Sequence, residues 1–277
     1  MTMADNSPQR VVLVTGASSG IGLLCAERLA AKGWRVFGGA RNVSAPIPVS
    51  DFNIQWLPMD VTEDASVCTA IDRILTTAGR IDAIVNSAGY SMRGSVEDVP
   101  MEEARAIFET NFLGALRVCR AAAPTLRARG GYIVNISSLA GLIGLPFTAH
   151  YCASKFALEG FSESLRYEMA PHGVHVSLVE PGDYRTGIQA SRRISKETQQ
   201  GIYARAFDSF LLKREAFEAR AATAEPVAAL VEKILEDPAP SLRYVVAMPA
   251  QGVLPLLRRL LPQAVYEFCF RRLLGLN

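Results

Sequence analysis

Tyr151 and Lys155 stand four residues apart in Tyr151-Cys152-Ala153-Ser154-Lys155, a spacing that puts both side chains on one helix face. A free tyrosine, with a pKa near 10, is a poor acid–base catalyst at neutral pH. A neighbouring ammonium favours the phenolate and lowers that pKa by about 1–3 units, so the pair points to proton transfer. Nearer the start, Val14-Thr15-Gly16-Ala17-Ser18-Ser19-Gly20-Ile21-Gly22 offers two other chemistries. Gly16 to Gly20 satisfy G-x-S-x-G, the nucleophile elbow, with Ser18 as nucleophile. The same residues form a glycine-rich turn between an apolar run and a helical pattern, a cradle for phosphate.

The rest of the chain decides between them. An elbow needs an oxyanion donor from an earlier strand-to-helix loop, followed later by an acid and then a histidine. Only about ten polar residues precede Val11, and no His-Gly-Gly-Gly run exists. Asp60 followed by His150 or His175 keeps the chain order by coincidence alone. In the phosphate reading Gly16 allows the exit from the strand, Gly20 a close backbone approach to a pyrophosphate, and Gly22 helix-on-sheet packing. The next apolar run ends Ala40-Arg41 where an acid would meet a free ribose 2′-hydroxyl. Arginine there offers a charge-assisted fork to a 2′-phosphate, so NADP(H) is expected over NAD(H).

These residues need a scaffold. Short apolar runs predict strands over 10–15, 35–40, 54–59, 83–86, 132–136, 174–179 and 243–247. Between them, 21–32, 65–77, 101–126 and 151–170 carry helical patterns long enough to cross over a parallel sheet. The runs VVLV and IVNI are apolar throughout, as expected for strands covered on both faces. The expectation is an α/β fold, a doubly wound and mostly parallel sheet with helices on both faces. It forms a single domain over 1–277, with ligands at the carboxyl ends of the strands. No linker or repeat divides the chain.

Composition narrows the partners. With 277 residues, 49% hydrophobic, 20% charged and a formal net charge of +2, the chain reads as globular, with no whole-protein pull toward nucleic acid. Cys25, Cys68, Cys119, Cys152 and Cys269 are scattered without metal-ligand spacing. The histidines His150, His172 and His175 find no carboxylate or cysteine to complete a site, so no metal is expected. The polar N-terminus lacks a signal-peptide run, no apolar stretch reaches 18 residues, and a cytoplasmic location is expected.

Taken together and in order, the motifs resemble the short-chain dehydrogenase/reductase family, in its compact single-domain branch and near its NADP-preferring hydroxysteroid and retinol dehydrogenase-like members. They are Thr15–Gly22, Asp60-Val61, Asn86-Ser87-Ala88-Gly89, Asn111, Ser138, Tyr151 with Lys155, and Pro181-Gly182 followed by Thr186. Ser138 precedes Tyr151 by 13 residues, a spacing typical of the family. The resemblance covers roughly 10–190 and implies a Rossmann-type fold. It implies Tyr151 as proton donor or acceptor, Ser138 as hydrogen-bond partner of the substrate oxygen, and Lys155 as the group that depresses the Tyr151 pKa and holds the nicotinamide ribose. Asn111 would anchor a water in a proton relay. Gly16, Ser18, Ser19, Gly20, Ile21 and Gly22 would cradle the cofactor, with the two serines helping Arg41. Asp60 and Val61 would contact adenine, Asn86, Ala88 and Gly89 the adenosine ribose side, and Pro181, Gly182 and Thr186 the nicotinamide side. Two departures stand out: Ser87 replaces the commoner asparagine, and Asp183-Tyr184-Arg185 is a bulky, charged insert.

The implied activity is hydride transfer between NADP(H) and a ketone or secondary alcohol, with a homodimer or homotetramer as the assembly. The alternative is a catalytically silent protein that senses NADP(H). A mobile lid is expected over about 188–222, and its Tyr203, Phe207 and Phe210 suggest an apolar, lipid-, steroid- or retinoid-like substrate. The apolar extension over about 250–277 carries Arg258, Arg259, Arg271 and Arg272. Pocket closure or a subunit contact is favoured for it over binding to a membrane surface, since Pro255 and Pro262 interrupt one long amphipathic helix.

Overall fold

The computed structural model describes residues 9–43, 52–185 and 192–274. Seven strands form one sheet: β1 (Val11–Thr15), β2 (Arg35–Ala40), β3 (Ile54–Pro58), β4 (Ala83–Asn86), then a short β5 outside it (Met92–Arg93), β6 (Gly131–Ile136), β7 (Val174–Pro181) and, after β8 (Arg193–Ile194), β9 (Arg243–Val246). The order is β3-β2-β1-β4-β6-β7-β9, with every neighbouring pair parallel. The direction of winding reverses between β1 and β4, so the loops after these two strands open a crevice there.

Why the central strands are apolar at every position is visible in β1. Val11 and Leu13 face one core, while Val12 and Val14 face the other. The first core is closed by α2 (Asp64–Ala78) through Val67, Ala70, Ile71 and Ile74, and by α4 (Gly114–Arg129) through Val118, Ala122 and Leu126. The second is closed by α1 (Gly20–Ala31) through Cys25, Ala26 and Leu29. A C-terminal helix over Glu225–Glu236, α8 below, adds Val227, Val231 and Leu235 to it.

The pattern over 101–126, expected as one helix, is divided. α3 (Met101–Phe108) passes into a π turn, Glu109–Leu113, before α4, with Gly114 N–H donating five residues back to Glu109 O. α5 (Ala149–Met169) follows β6 and carries Tyr151 and Lys155 on its first turns.

The segment expected as a lid is a cap held at several points. It comprises β8, α6 (Lys196–Gln200) and α7 (Ala204–Ala219), which is followed by α8. β8 pairs with β5, and Ser95 N–H donates to Thr198 Oγ1 at 3.0 Å. Phe207 and Phe210, both fully buried, pack with Tyr203 around Phe147. Beyond β9, the extension folds as α9 (Pro249–Gly252), α10 (Leu254–Leu260) and α11 (Gln263–Leu274). Pro255 starts α10 and Pro262 stands in the break before α11, as Pro tolerates a first turn and not an interior. No helix among the described residues is long and apolar enough to cross a membrane.

Candidate active site

A cavity of about 890 Å³ runs along the carboxyl ends of the strands. One end is a backbone cradle. Gly16 and Gly20 take φ +64° and +56°, values that glycine adopts without strain. A Cβ on Gly16 would sit 2.8 Å from Ala88 Cα, so the loops after β1 and β4 touch because this residue has no side chain. Gly22 serves the loop as well: a Cβ there would collide with the Gly16 carbonyl oxygen, which corrects the expected helix-on-sheet role. Ser19 caps α1 with no side-chain hydrogen bond, and the first turn holds no acid. The N–H groups and partial positive charge of the helix start are thus free for an anion.

Ser18, Ser19, Gly20 and Ile21 line this end, with the exposed Arg41 beyond them. Asp60 and Val61 form the adjoining wall; Asp60 Oδ1 accepts from Thr62 N at 2.9 Å and Thr62 Oγ1 at 2.8 Å, which fixes that turn. Ala88 and Gly89 line the cleft too, while Ser87 N and Ala88 N donate to Thr15 Oγ1 at 3.1 and 3.2 Å. Asn86 is different. Its side chain turns into the sheet, donating to Asn135 Oδ1 at 2.9 Å, and it forms no part of the cleft wall. Of this motif, Ser87, Ala88 and Gly89 line the cleft and Asn86 does not. Pro181 and Gly182 line the opposite wall; Thr186 lies outside the described residues.

Ser138, Tyr151 and Lys155 meet at the middle of the cleft. Ser138 Oγ accepts from Ala140 N at 3.1 Å and hydrogen-bonds the Tyr151 phenol. Lys155 Nζ lies 6.0 Å from the Tyr151 ring centroid and donates to Ile136 O at 2.8 Å. Burial pushes the Tyr151 phenol up to about 12 and outweighs the Ser138 hydrogen bond, which pulls it down. Burial likewise pushes Lys155 down to about 8 against the attraction of Glu159. Burial therefore dominates the phenol in this arrangement, and the nearby charges that act on it are those of Asp183 and Arg214. A protonated phenol is the form that gives a proton to a carbonyl oxygen.

Asn111 lies behind the wall, inside the π turn. Its Oδ1 accepts from Tyr90 N at 3.0 Å, and its Nδ2 donates to Tyr90 O at 3.0 Å and Ser154 Oγ at 3.1 Å. The side chain thus clamps the loop after β4 onto α5. A π turn inside a helix is a frequent mark of a functional site.

The other end of the cleft holds residues that no motif marked: Arg93, Asp183, Arg192, Arg214, Glu218 and Gln251. Gln251 Nε2 donates to Asp183 Oδ2 at 2.6 Å, and Leu254 joins the wall, so the start of the C-terminal extension closes the pocket. Phe207 and Phe210, expected to meet substrate, form no part of this wall; they pack on Phe147. Farther along the extension Leu256, Leu260 and Phe268 are exposed.

A nucleotide cradle and a Ser–Tyr–Lys centre on a doubly wound sheet define a class, the nicotinamide-dependent oxidoreductases. The model of the short chain dehydrogenase family matches residues 10–197. The chain is 36% identical over 264 residues to 3-ketodihydrosphingosine reductase of Bacteroides thetaiotaomicron, covering 95% of this chain and 97% of that one. It is 33% identical over 266 residues to human 17-beta-hydroxysteroid dehydrogenase type 1, covering 90% and 80%. The crystal structure of a short-chain dehydrogenase from Streptomyces avermitilis superposes with a TM-score of 0.81 at 30% identity, covering 96% and 97%. The chain belongs to the short-chain dehydrogenase family.

Proposed function

We propose that the protein is an NADP(H)-dependent oxidoreductase that interconverts a ketone and a secondary alcohol on an apolar, lipid-, steroid- or retinoid-like substrate. The observation that carries this reading is the meeting of Ser138, Tyr151 and Lys155 midway along a cleft that begins at the Gly16–Gly22 cradle. When bound, the nicotinamide supplies or accepts the hydride. The chain's own part is proton chemistry and placement. Tyr151 gives a proton to the substrate oxygen or takes it back, and Ser138 hydrogen-bonds that oxygen as charge grows on it. Lys155 holds the ribose beside them, and Asn111 fixes the loop that carries Tyr90.

The phosphate preference rests on Ala40-Arg41 at the end of β2, where a guanidinium lines the cleft and alanine stands where an acid would meet a free ribose hydroxyl. Thr186 keeps its proposed place at the nicotinamide side. The apolar substrate rests on the relatives, whose names include a sphingoid ketone reductase and a hydroxysteroid dehydrogenase. A cytoplasmic homodimer or homotetramer completes the reading. A silent NADP(H) sensor would have no use for an intact Ser–Tyr–Lys centre.

The test is NADPH consumption over ketones of graded size and polarity, repeated with NADH. Turnover that favours NADPH and rises with apolar bulk is expected. A wild-type protein that turns over no ketone with either cofactor overturns the reading.

A further inference from the structure

The end of the cleft farthest from the glycine loop is walled by charge from four separate segments. Arg93 lies on β5, Asp183 after β7, Arg192 before β8, and Arg214 and Glu218 on α7. Glu218 is the hub. Arg93 donates to it, Arg192 donates twice at 3.1 and 2.8 Å, and Arg214 stands 3.8 Å away. Arg214 itself is forked onto Asp183, whose Oδ2 also accepts from Gln251. Three guanidinium groups thus share two carboxylates. Residues 186–191, Thr-Gly-Ile-Gln-Ala-Ser, contain no acid that would restore the balance.

The surplus charge has a location. Arg93 is only 3% exposed, and its Nη1 has no hydrogen-bond partner among the described residues. A buried, unsatisfied cationic donor is costly unless an anion compensates it. In front of it, the Arg192 and Arg214 side chains keep 12% and 15% exposure, enough to present the charge to the cleft. Asp183 and Arg214 act electrostatically on the Tyr151 phenol, so the corner lies close to the reacting group.

We infer that this corner is a subsite for an anionic group on the substrate, a carboxylate or a phosphate, contacted by Arg192 and Arg214 with Arg93 supplying the uncompensated charge behind them. The inference rests on the reading of the protein as a ketone–alcohol oxidoreductase and narrows its substrate to an amphiphile: an apolar body with an acidic end. The same chemistry would suit a phosphate of the cofactor, and the experiment separates the two sources.

With saturating NADPH, kcat/KM is measured for a long-chain oxo acid, its ketone remote from the carboxylate, and for its methyl ester. The wild type is expected to favour the acid by roughly 10- to 100-fold, the worth of one charge-assisted contact. Arg192→Gln and Arg93→Met should each shrink the acid-to-ester ratio about 10-fold, and Glu218→Gln, which removes a competing carboxylate, should enlarge it. A purely structural corner would lower both substrates together and leave the ratio unmoved. An unmoved ratio, equal rates on acid and ester in the wild type, or a change confined to the KM for NADPH overturns the subsite. If neither ketone is reduced, the oxidoreductase reading is judged by the wider ketone panel with both cofactors. The subsite is then judged by thermal shift with octanoate against octan-1-ol. Stabilisation by octanoate alone, lost in Arg192→Gln, supports it; equal shifts, or none, overturn it.

Discussion

On the proposed reading the two ends of the cleft face the same task, binding a polar ligand at the rim of an apolar sheet, and meet it with opposite physics. At the β1–β4 end the backbone does the binding. Glycines at positive φ let two loops touch, and a helix start offers N–H groups whose direction follows from local chain geometry. At the far end side chains bind, and each is held by a partner distant in sequence; Arg93 and Glu218 are 125 residues apart. A cradle made of backbone accepts one shared chemical group, the pyrophosphate, in any protein that has the loop. A corner made of long-range ion pairs can be recast by single substitutions. On that reading cofactor binding draws on backbone geometry and substrate choice on side chains.

The centre between the two ends takes the harshest test. Tyr151→Phe keeps the ring and removes the proton, so kcat should fall by roughly 10²- to 10⁴-fold, the usual worth of a positioned acid–base group. NADPH affinity, read by fluorescence titration, should change little, because neither end of the cleft is touched. Loss of cofactor binding in step with turnover would mean that the phenol supports the cradle instead of the chemistry.

The next largest effect falls on the backbone end. Gly22→Ala forces a methyl group against the Gly16 carbonyl, inside the turn that must stay closed for the α1 N–H groups to converge. Overpacking of this kind costs about 1–3 kcal/mol, so NADPH should bind up to about 100-fold more weakly while the acid-to-ester ratio at the far end stays put. A ratio that moved with it would show that the two ends are not separable. Arg41→Asp is milder. It should weaken NADPH by about 10-fold and turn the preference toward NADH, as an acid repels the 2′-phosphate and accepts from a free hydroxyl. Unchanged preference would remove Arg41 from the site.

The same contrast explains what could be read from residues alone. β2 and β4 run over 35–40 and 83–86, as their apolar runs predict, because a strand buried on both faces announces itself locally. Gly16, Gly20, Ser138, Tyr151 and Lys155 line one cleft. The π turn was hidden because 101–126 keeps an unbroken helical pattern. Its cause is the clamp from Asn111 to Tyr90 and Ser154, 21 and 43 residues away. Asn86 looked like a cofactor ligand until Asn135, two strands along in sequence and beside it in the sheet, claimed its amide. The cap's aromatics were legible as apolar, yet their destination on Phe147 depends on a turn whose residue sits at φ +53°. Arginines and glutamates in a polar stretch read as solvated surface unless the fold pairs them.

A buried carboxylate near the end of β7 gives the contrast its gentlest probe. Glu180 is the penultimate residue of β7, is 1% exposed, and lies 3.7 Å from Arg243 Nε, whose closer bond at 3.0 Å goes to Glu159. Burial, with the neighbouring Glu159 carboxylate, pushes Glu180 up from 4.5 to about 8 despite the pull of Arg243. Between those values the unfolded chain releases a proton that the folded chain keeps, so stability falls as pH rises through this window. Glu180→Gln, neutral at every pH, should flatten that decline and leave the protein more stable than the wild type near pH 8. Melting temperatures of both proteins across pH 5–8 measure it, and NADPH affinity should not follow. Parallel curves would show that Glu180 is ionised in the fold. The fold would then bury a compensated charge where it now buries a proton, and Arg243, which already bonds Glu159 at 3.0 Å and Glu163 at 2.8 Å, would hold a third carboxylate.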